Sequence, residues 1–203
     1  MTDDAARFFV LTGGPGSGKT TLAEALHGAG HACSVEAGRA IIRDQITIGG
    51  PGLPWLDPAA FAELMLSWEM RSHAIARCQP GIVFFDRGVP DIAGFLRLSG
   101  LPVPPHVHGA ARTFRYNKMA FIAPPWRDIF RQDQERKQSF DEAVRTHGAM
   151  VEAYREYGYD LVEIPRASVQ ARTTFILERV GASEKPRSET RRPTAPRRPG
   201  AAP

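Results

Sequence analysis

The 203-residue chain is 42% hydrophobic, enough for one α/β domain with its own core, and no apolar run approaches the roughly 20 residues of a membrane span. Its acidic start, MTDDAARFF, lacks the apolar core of a secretory signal, and Cys33 and Cys78 stand far apart without zinc-ligand spacing, so the expectation is a cytoplasmic chain with reduced thiols and no membrane partner. The net charge of +4 belongs wholly to residues 182–203, which hold six of the 26 bases and two of the 22 acids, leaving residues 1–181 neutral and arguing against a nucleic-acid partner.

In chain order, Arg7–Thr12 (RFFVLT) predicts a short strand stopped by a glycine-rich turn. KTTLAEALHGAG predicts a helix with Leu22, Ala25, Leu26 and Ala29 at helical spacing. HACSVE predicts a second strand ending at Glu36, GRAIIRDQI a short helix, and TIGGPGLPW a loop. Asp57 and Pro58 mark the N-cap and first position of a long helix whose apolar stripe is Phe61, Leu64, Met65, Trp68 and Ile75. The unbroken run IVFF predicts a strand covered on both faces. PDIAGFLRLSG predicts a helix, LPVPPHVHG a loop and Lys118–Ala123 a fourth strand. The helix over KQSFDEAVRTHGAMVEAYREYG carries Phe140, Val144, His147, Val151 and Tyr154 on one face, with Gly158 suited to its C-cap. YDLVEIP is a fifth strand and SVQARTTFILERV a closing helix. This alternation predicts an α/β sandwich of three layers, a five-stranded parallel sheet with helices on both faces, over residues 1–181. Residues 182–203, with five prolines and no aromatic or long aliphatic side chain, predict a disordered basic tail.

The chemistry starts at Gly13-Gly14-Pro15-Gly16-Ser17-Gly18-Lys19-Thr20, a full match to G-x-x-x-x-G-K-[ST] between a strand and an amphipathic helix. Glycines let successive backbone N–H groups converge on one anion, and the helix N-terminus adds partial positive charge. Lys19 would reach the outer phosphates of ATP, the Thr20 hydroxyl would ligate Mg²⁺, and Thr21 completes the loop. Asp86, at the end of the third strand, is the second Mg²⁺ contact, through water; its plainer reading is an N-cap.

The residue after Asp86 decides the class. A remodelling ATPase would place a glutamate there to orient water, whereas this chain has Arg87. Guanine-reading Asn-Lys-x-Asp is absent: NKMA at Asn117–Ala120 has alanine for aspartate and precedes its strand. DIAG at Asp91 lies too far past the strand to serve as a nucleotide switch. Arg87 suits an anionic or polar acceptor. Glu36, with Arg39 nearby, is placed to contact or deprotonate the acceptor's hydroxyl, or else forms an ordinary surface pair. Arg127, Arg131 and Arg136 in WRDIFRQDQERK form a candidate lid that neutralises charge on the transferring phosphoryl group, with Asp133 and Glu135 holding it open; the plainer reading is a solvated helix start. His106 and His108 lack a third metal ligand, and Trp55 either stacks on an aromatic acceptor or caps the core.

LTGGPGSGKTTL, VEAGRAII, VFFDRGVPD, FIAPPW, RQDQERKQSF and YGYDLVEIP, in that order over residues 7–181, resemble the P-loop AAA-type domain family that includes nicotinamide riboside kinase domains. The resemblance implies a nucleoside/nucleotide-kinase-like fold with the P-loop strand central, and a loop Ile164–Val169 near the nucleotide base. It does not carry a substrate. The resulting expectation is an ATP- and Mg²⁺-dependent kinase acting on a small-molecule hydroxyl or phosphate acceptor. The alternatives are a nucleotide-gated ATPase or GTPase-type binding protein and a tail-tethered RNA- or membrane-associated ATPase. Oligomeric state stays open, a homodimer included.

Overall fold

The computed structural model describes residues 4–130 and 139–184. After a short 3-10 turn at Asp4–Arg7, five strands form: β1 (Phe8–Gly13), β2 (Ala32–Cys33), β3 (Val83–Asp86), β4 (Met119–Ala123) and β5 (Asp160–Glu163). The helices are α1 (Lys19–Gly28), α2 (Ala37–Ile48), α3 (Pro58–Arg77), α4 (Val89–Leu98), α5 (Pro105–Thr113), α6 (Phe140–Glu156) and α7 (Val169–Glu184). Every strand pair is parallel, and the sheet order β2-β3-β1-β4-β5 puts the strand that feeds the glycine loop at its centre.

The continuous apolar runs follow from this layering. Phe8, Val10, Val83 and Phe85 point to one core beneath α2–α6, while Phe9, Leu11, Phe84 and Phe121 point to a second beneath α1 and α7. With both faces covered, neither set of alternating side chains meets water. The loops at the carboxyl ends of β1 and β3 therefore meet over the middle of the sheet, where a site can form.

Several local expectations shift. The second strand shortens to Ala32–Cys33: Ser34 N–H still donates to Phe84 O (2.8 Å), but Asp86 N–H donates to the Ser34 hydroxyl (3.1 Å), so a side chain takes the next rung of the ladder. Glu36 consequently begins α2 as its N-cap instead of ending a strand, and α2 runs on through Thr47 and Ile48. LPVPPHVHG is not all loop. Pro105 occupies the first position of α5 behind an extended Pro104, which proline's fixed φ favours, and Val107, Ala110 and Ala111 bury the helix.

The stripes of two long helices also rotate. On α3, Asp57 caps as expected, its side chain accepting from Ala60 N–H, but Leu64 is 37% and Ile75 52% exposed. The inward face instead holds Leu66, Glu69, His73 and Ala76 beside Phe61 and Met65, and two of those six are ionisable. On α6, Val144 is outward, and the buried residues are Ala143, Met150, Ala153 and Tyr154. Small alanines let α6 come close to the glycine loop, and Gly158, at φ 78° just past the end of α6, takes the left-handed turn expected of it. α7 ends at Glu184, so the residues beyond it, expected as tail, lie outside those described.

Candidate active site

The loop Gly13–Thr20 leaves the centre of the sheet through three left-handed glycines, Gly13 (φ 129°), Gly16 (φ 68°) and Gly18 (φ 75°). Side chains with a Cβ disfavour these values, which is why the motif is glycine-rich. Gly18 is the N-cap of α1, and no acid sits in that helix's first turn to compete for an anion. Lys19 is buried, and its Nζ donates to Gly14 O (2.7 Å), Gly13 O (3.2 Å) and Ser17 Oγ (3.3 Å), while Ser17 Oγ donates to Gly14 O (2.8 Å). The ammonium thus spans the cradle. Thr20 and Thr21 stand exposed on the first turn of α1, and Pro15 turns toward a neighbouring cavity.

Gly14 is needed for a different reason. A Cβ there would lie 2.3 Å from Ala143 O on α6, a contact with rigid backbone. Gly14→Ala is therefore expected to push α6 from the loop, destabilising by roughly 1–3 kcal/mol as overpacking does and weakening nucleotide binding. Urea denaturation together with calorimetric titration of ATP checks both effects.

The end of β3 carries the acids. Asp86 is buried and its Oδ1 has no hydrogen-bond partner. Burial, then the Glu36 charge, push its carboxyl up to about 6, while Lys19 and Arg87 pull the other way. A buried, unpartnered carboxylate oxygen at the end of β3 and an exposed threonine hydroxyl on the first turn of α1 are the hard oxygen donors that Mg²⁺ takes, so the donor types of Thr20 and Asp86 fit it.

Arg87 departs from the expected picture of a loose acceptor ligand. Its backbone is left-handed (φ 76°), the sole non-glycine with positive φ among the described residues, and its N–H donates to Leu11 O (3.0 Å). The guanidinium is tied down: Nε to Glu36 Oε1 (3.4 Å), Nη1 to Gly13 O (3.2 Å) and to Asp91 Oδ1 (3.0 Å). Desolvation disfavours its charge, but Asp91, Glu36 and Asp86 more than compensate and hold it protonated. Glu36 is also paired through Oε2 to Arg39 Nε (3.1 Å).

Asp91, dismissed in sequence as a poor switch, is the hub. Its carboxylate accepts from Thr12 Oγ1 (2.7 Å), Arg87 Nη1, Gly88 N–H (3.0 Å) and Tyr154 OH (2.6 Å). Arg87 and Gly88 are near neighbours in the chain, but Thr12 and Tyr154 come from two distant elements, for which the sequence carried no signal. Arg172 on α7 was missed for the same reason: it is buried and its Nη2 donates to Ser17 O (3.0 Å), bracing the glycine loop from behind.

Glu69 on α3 lies in the same neighbourhood, with Oε2 buried and unpartnered. Burial raises its pKa well above the usual carboxylate value; Asp91, Asp86 and Glu36 add to the rise and Arg87 opposes it. The native state thus holds a proton more tightly than the unfolded chain, and stability falls as pH climbs above the unfolded value of about 4.5. Glu69→Gln is expected to raise Tm at pH 7–8, by about 2–4 °C per kcal/mol gained, and to leave it unchanged near pH 4. Thermal unfolding of both proteins across that range checks the sign.

Of the lid, Arg127 lies over the Phe140 ring (4.3 Å) and Phe130 packs edge-on to the same ring (5.5 Å). Arg131 and Arg136, with Asp133 and Glu135, fall outside the described residues. Ile164 is buried and Arg166 Nε donates to Pro125 O (3.2 Å), so the Ile164–Val169 loop docks against the start of the lid segment. Asn117 closes the amino end of β4, donating to Ala6 O (2.6 Å) and accepting from Met119 N–H (2.9 Å), at the opposite end of the sheet from the glycine loop. His106 pairs with Glu63 (2.7 Å) and His108 with Tyr157 OH (2.8 Å), so the two histidines do not converge. Trp55 does not cap the core; it is 57% exposed.

Beside Pro15 opens a cavity of about 490 Å³ bounded by α2, α3, α4 and α6, with Arg87 and Asp91 in its lining and Trp55 among its walls. Among the described residues no helix is long and apolar enough to cross a membrane.

A family model described as an AAA domain matches residues 8–172. No curated protein matches the chain in sequence. Among solved structures, a NadR protein in complex with NR is similar with TM-score 0.68 and 17% identity over 88% of this chain and 51% of that one, so the chain spans about half of that protein. A deoxyadenosine kinase from M. mycoides aligns with TM-score 0.58 and 12% identity, covering 86% of this chain and 99% of its own. A thymidylate kinase from Ehrlichia chaffeensis aligns with TM-score 0.57 and 14% identity, covering 87% and 99%.

Proposed function

The chain belongs to the AAA-domain family, whose P-loop its residues 13–20 complete, and from that premise we propose that it is a Mg²⁺-dependent kinase transferring the γ-phosphate of ATP to a small-molecule acceptor. The observation that carries this reading is the cavity. A space of about 490 Å³ lies directly against Pro15 of the phosphate loop, the size of a small-molecule site. An enzyme that only split ATP with water has no use for such a chamber next to its phosphates. Likeness in fold to proteins whose names describe kinases supports the same class.

In this reading, the acceptor's hydroxyl oxygen bonds to the γ-phosphorus as the bond from phosphorus to the β–γ bridging oxygen breaks, its electron pair staying on ADP. The hydroxyl proton passes to a carboxylate oxygen of Glu36 or Asp86. Lys19 follows the charge that develops on the phosphoryl oxygens, and the arginines of the lid segment, Arg127, Arg131 and Arg136, are in this reading the further source of positive charge for the transferring group. Bound Mg²⁺, held by Thr20 and Asp86, would neutralise the outer phosphates. Arg87, tied to Glu36 and Asp91, positions the acid instead of moving with the substrate.

The test is a panel of hydroxylated metabolites and nucleotides incubated with γ-labelled ATP, Mg²⁺ and the full chain. Label in one acceptor is the expected result. Label appearing solely as inorganic phosphate with every acceptor would overturn the kinase reading and favour a nucleotide-gated ATPase.

A further inference from the structure

Resting on the kinase reading, in which the glycine loop holds the phosphates of ATP, we propose that Arg172 is a positioning residue for those phosphates. Its charge, which no carboxylate cancels among the described residues, acts on them through the Ser17–Gly18 peptide. Arg172 stands at the start of α7, and its side chain lies along the outer side of the loop. Its Nη2 donates to Ser17 O (3.0 Å), and a Cβ on Gly18 would stand 2.8 Å from its Nη1. Half-buried Ile129 lies against the same glycine.

Two arginines thus hold carbonyls of one loop, Arg87 at Gly13 O (3.2 Å) and Arg172 at Ser17 O. Their surroundings differ. Arg87 is bonded to Asp91 and Glu36, so its charge is balanced where it stands. Arg172 is 2% exposed, pairs with no acid among the described residues, and keeps a buried Nε without a hydrogen-bond partner. Burial draws its pKa below the usual arginine value, whereas the acids around Arg87 hold that one up. A charge taken from water without a partner costs stability. Packing gives no reason for it, since the core shared by α1 and α7 consists of Leu22, Leu26, Ile176 and Val180, and an apolar side chain would suit it.

The phosphates supply the reason. In a trans peptide the C=O and the N–H point in opposite directions. A cation on Ser17 O therefore stands across the peptide from the Gly18 N–H and makes that N–H a stronger donor, as linked hydrogen bonds polarise one another. The N–H groups of Gly16, Ser17 and Gly18 donate to no backbone carbonyl among the described residues. Gly18 also opens α1, whose first turn holds no acid. Unused amides, a helix N-terminus and an unpaired guanidinium all raise the potential at one place, and a ligand of high negative charge relieves it.

The experiment uses the full chain and its Arg172→Met and Arg172→Lys variants, each melted by calorimetry without nucleotide and titrated with ATP and Mg²⁺. Arg172→Met is expected to bind ATP about tenfold more weakly, the scale of one charge acting across a peptide unit at an effective dielectric of about 20. Without nucleotide it should nevertheless melt within about 2 °C of the wild type or above it, because removing an unpaired buried charge offsets the hydrogen bond lost at Ser17 O. Arg172→Lys should keep affinity within about threefold of wild type, since the single bond to Ser17 O asks for a charged donor and not for the planar fork. Three results overturn the inference and leave the kinase reading standing. They are ATP affinity unchanged in Arg172→Met, a lysine variant no better than the methionine one, and an Arg172→Met chain that fails to fold or loses stability and affinity together, which would make the guanidinium a brace alone. A wild-type chain that binds no ATP overturns both.

Discussion

Lys19→Ala is expected to lower phosphate transfer on the order of 100-fold or more, the scale of losing one preorganised charged donor at a transferring group. The ammonium is buried and spans the loop through Gly13 O, Gly14 O and Ser17 Oγ, so it already stands where phosphate oxygens would converge. The hydrogen bonds described for it go to carbonyl and hydroxyl oxygens; bonds to phosphate oxygens, which carry full charges, are stronger. The interaction grows as charge shifts toward the leaving β–γ oxygen, so the loss should fall on kcat more than on KM. Folding should change little, because the desolvation of a buried ammonium offsets much of what its three hydrogen bonds contribute. Steady-state kinetics with ATP titration by calorimetry check this. Turnover and affinity both at wild-type level would end the assignment of the cradle.

The largest stability effect is expected at Asp91. Asp91→Ala takes from the Arg87 guanidinium its shorter carboxylate partner, leaving Glu36 and Gly13 O, and strands two buried hydroxyls (Thr12 and Tyr154) and the Gly88 N–H at once. Breaking one partner of a buried ion pair costs about 3–5 kcal/mol. At about 2–4 °C per kcal/mol for a domain of this size, Tm should drop by roughly 6–20 °C. Tyr154→Phe removes a single neutral donor from the same carboxylate and should cost about 1.5–3 kcal/mol, the value of a hydrogen bond to a charged group. Differential scanning calorimetry of the two variants separates them. Asp91→Ala melting within a degree or so of wild type would show that the hub is not what holds Arg87 in its left-handed backbone.

The two predictions also differ in where they come from. Lys19 was legible in the sequence, because a phosphate loop is a contiguous motif: eight consecutive residues set its φ values, its amide directions and its lysine. Asp86 was legible for a similar reason, at the end of a strand that announces itself by composition. So was the alternation of strands and helices, which requires only local periodicity. Even α3 and α6 were placed to within a few residues, α3 by its N-cap Asp57 and α6 by Gly158 just past its end.

What the sequence alone determined, then, was the family-specific phosphate loop, the α/β order of elements and the acid at the end of β3, since each is written in neighbours along the chain. Tertiary structure decided the rest. Asp91 meets Thr12 across 79 residues and Tyr154 across 63, and Arg172 reaches Ser17 across 155. It also turned α3 so that Glu69 and His73 face inward where Leu64 and Ile75 were expected, and made a helix of a proline-rich segment that could bury Val107 and two alanines. Helical spacing says that one face is covered, but which face depends on the shape of what covers it. A hydrogen bond between distant segments has no signature until folding has brought both into a site where water cannot take the partner's place.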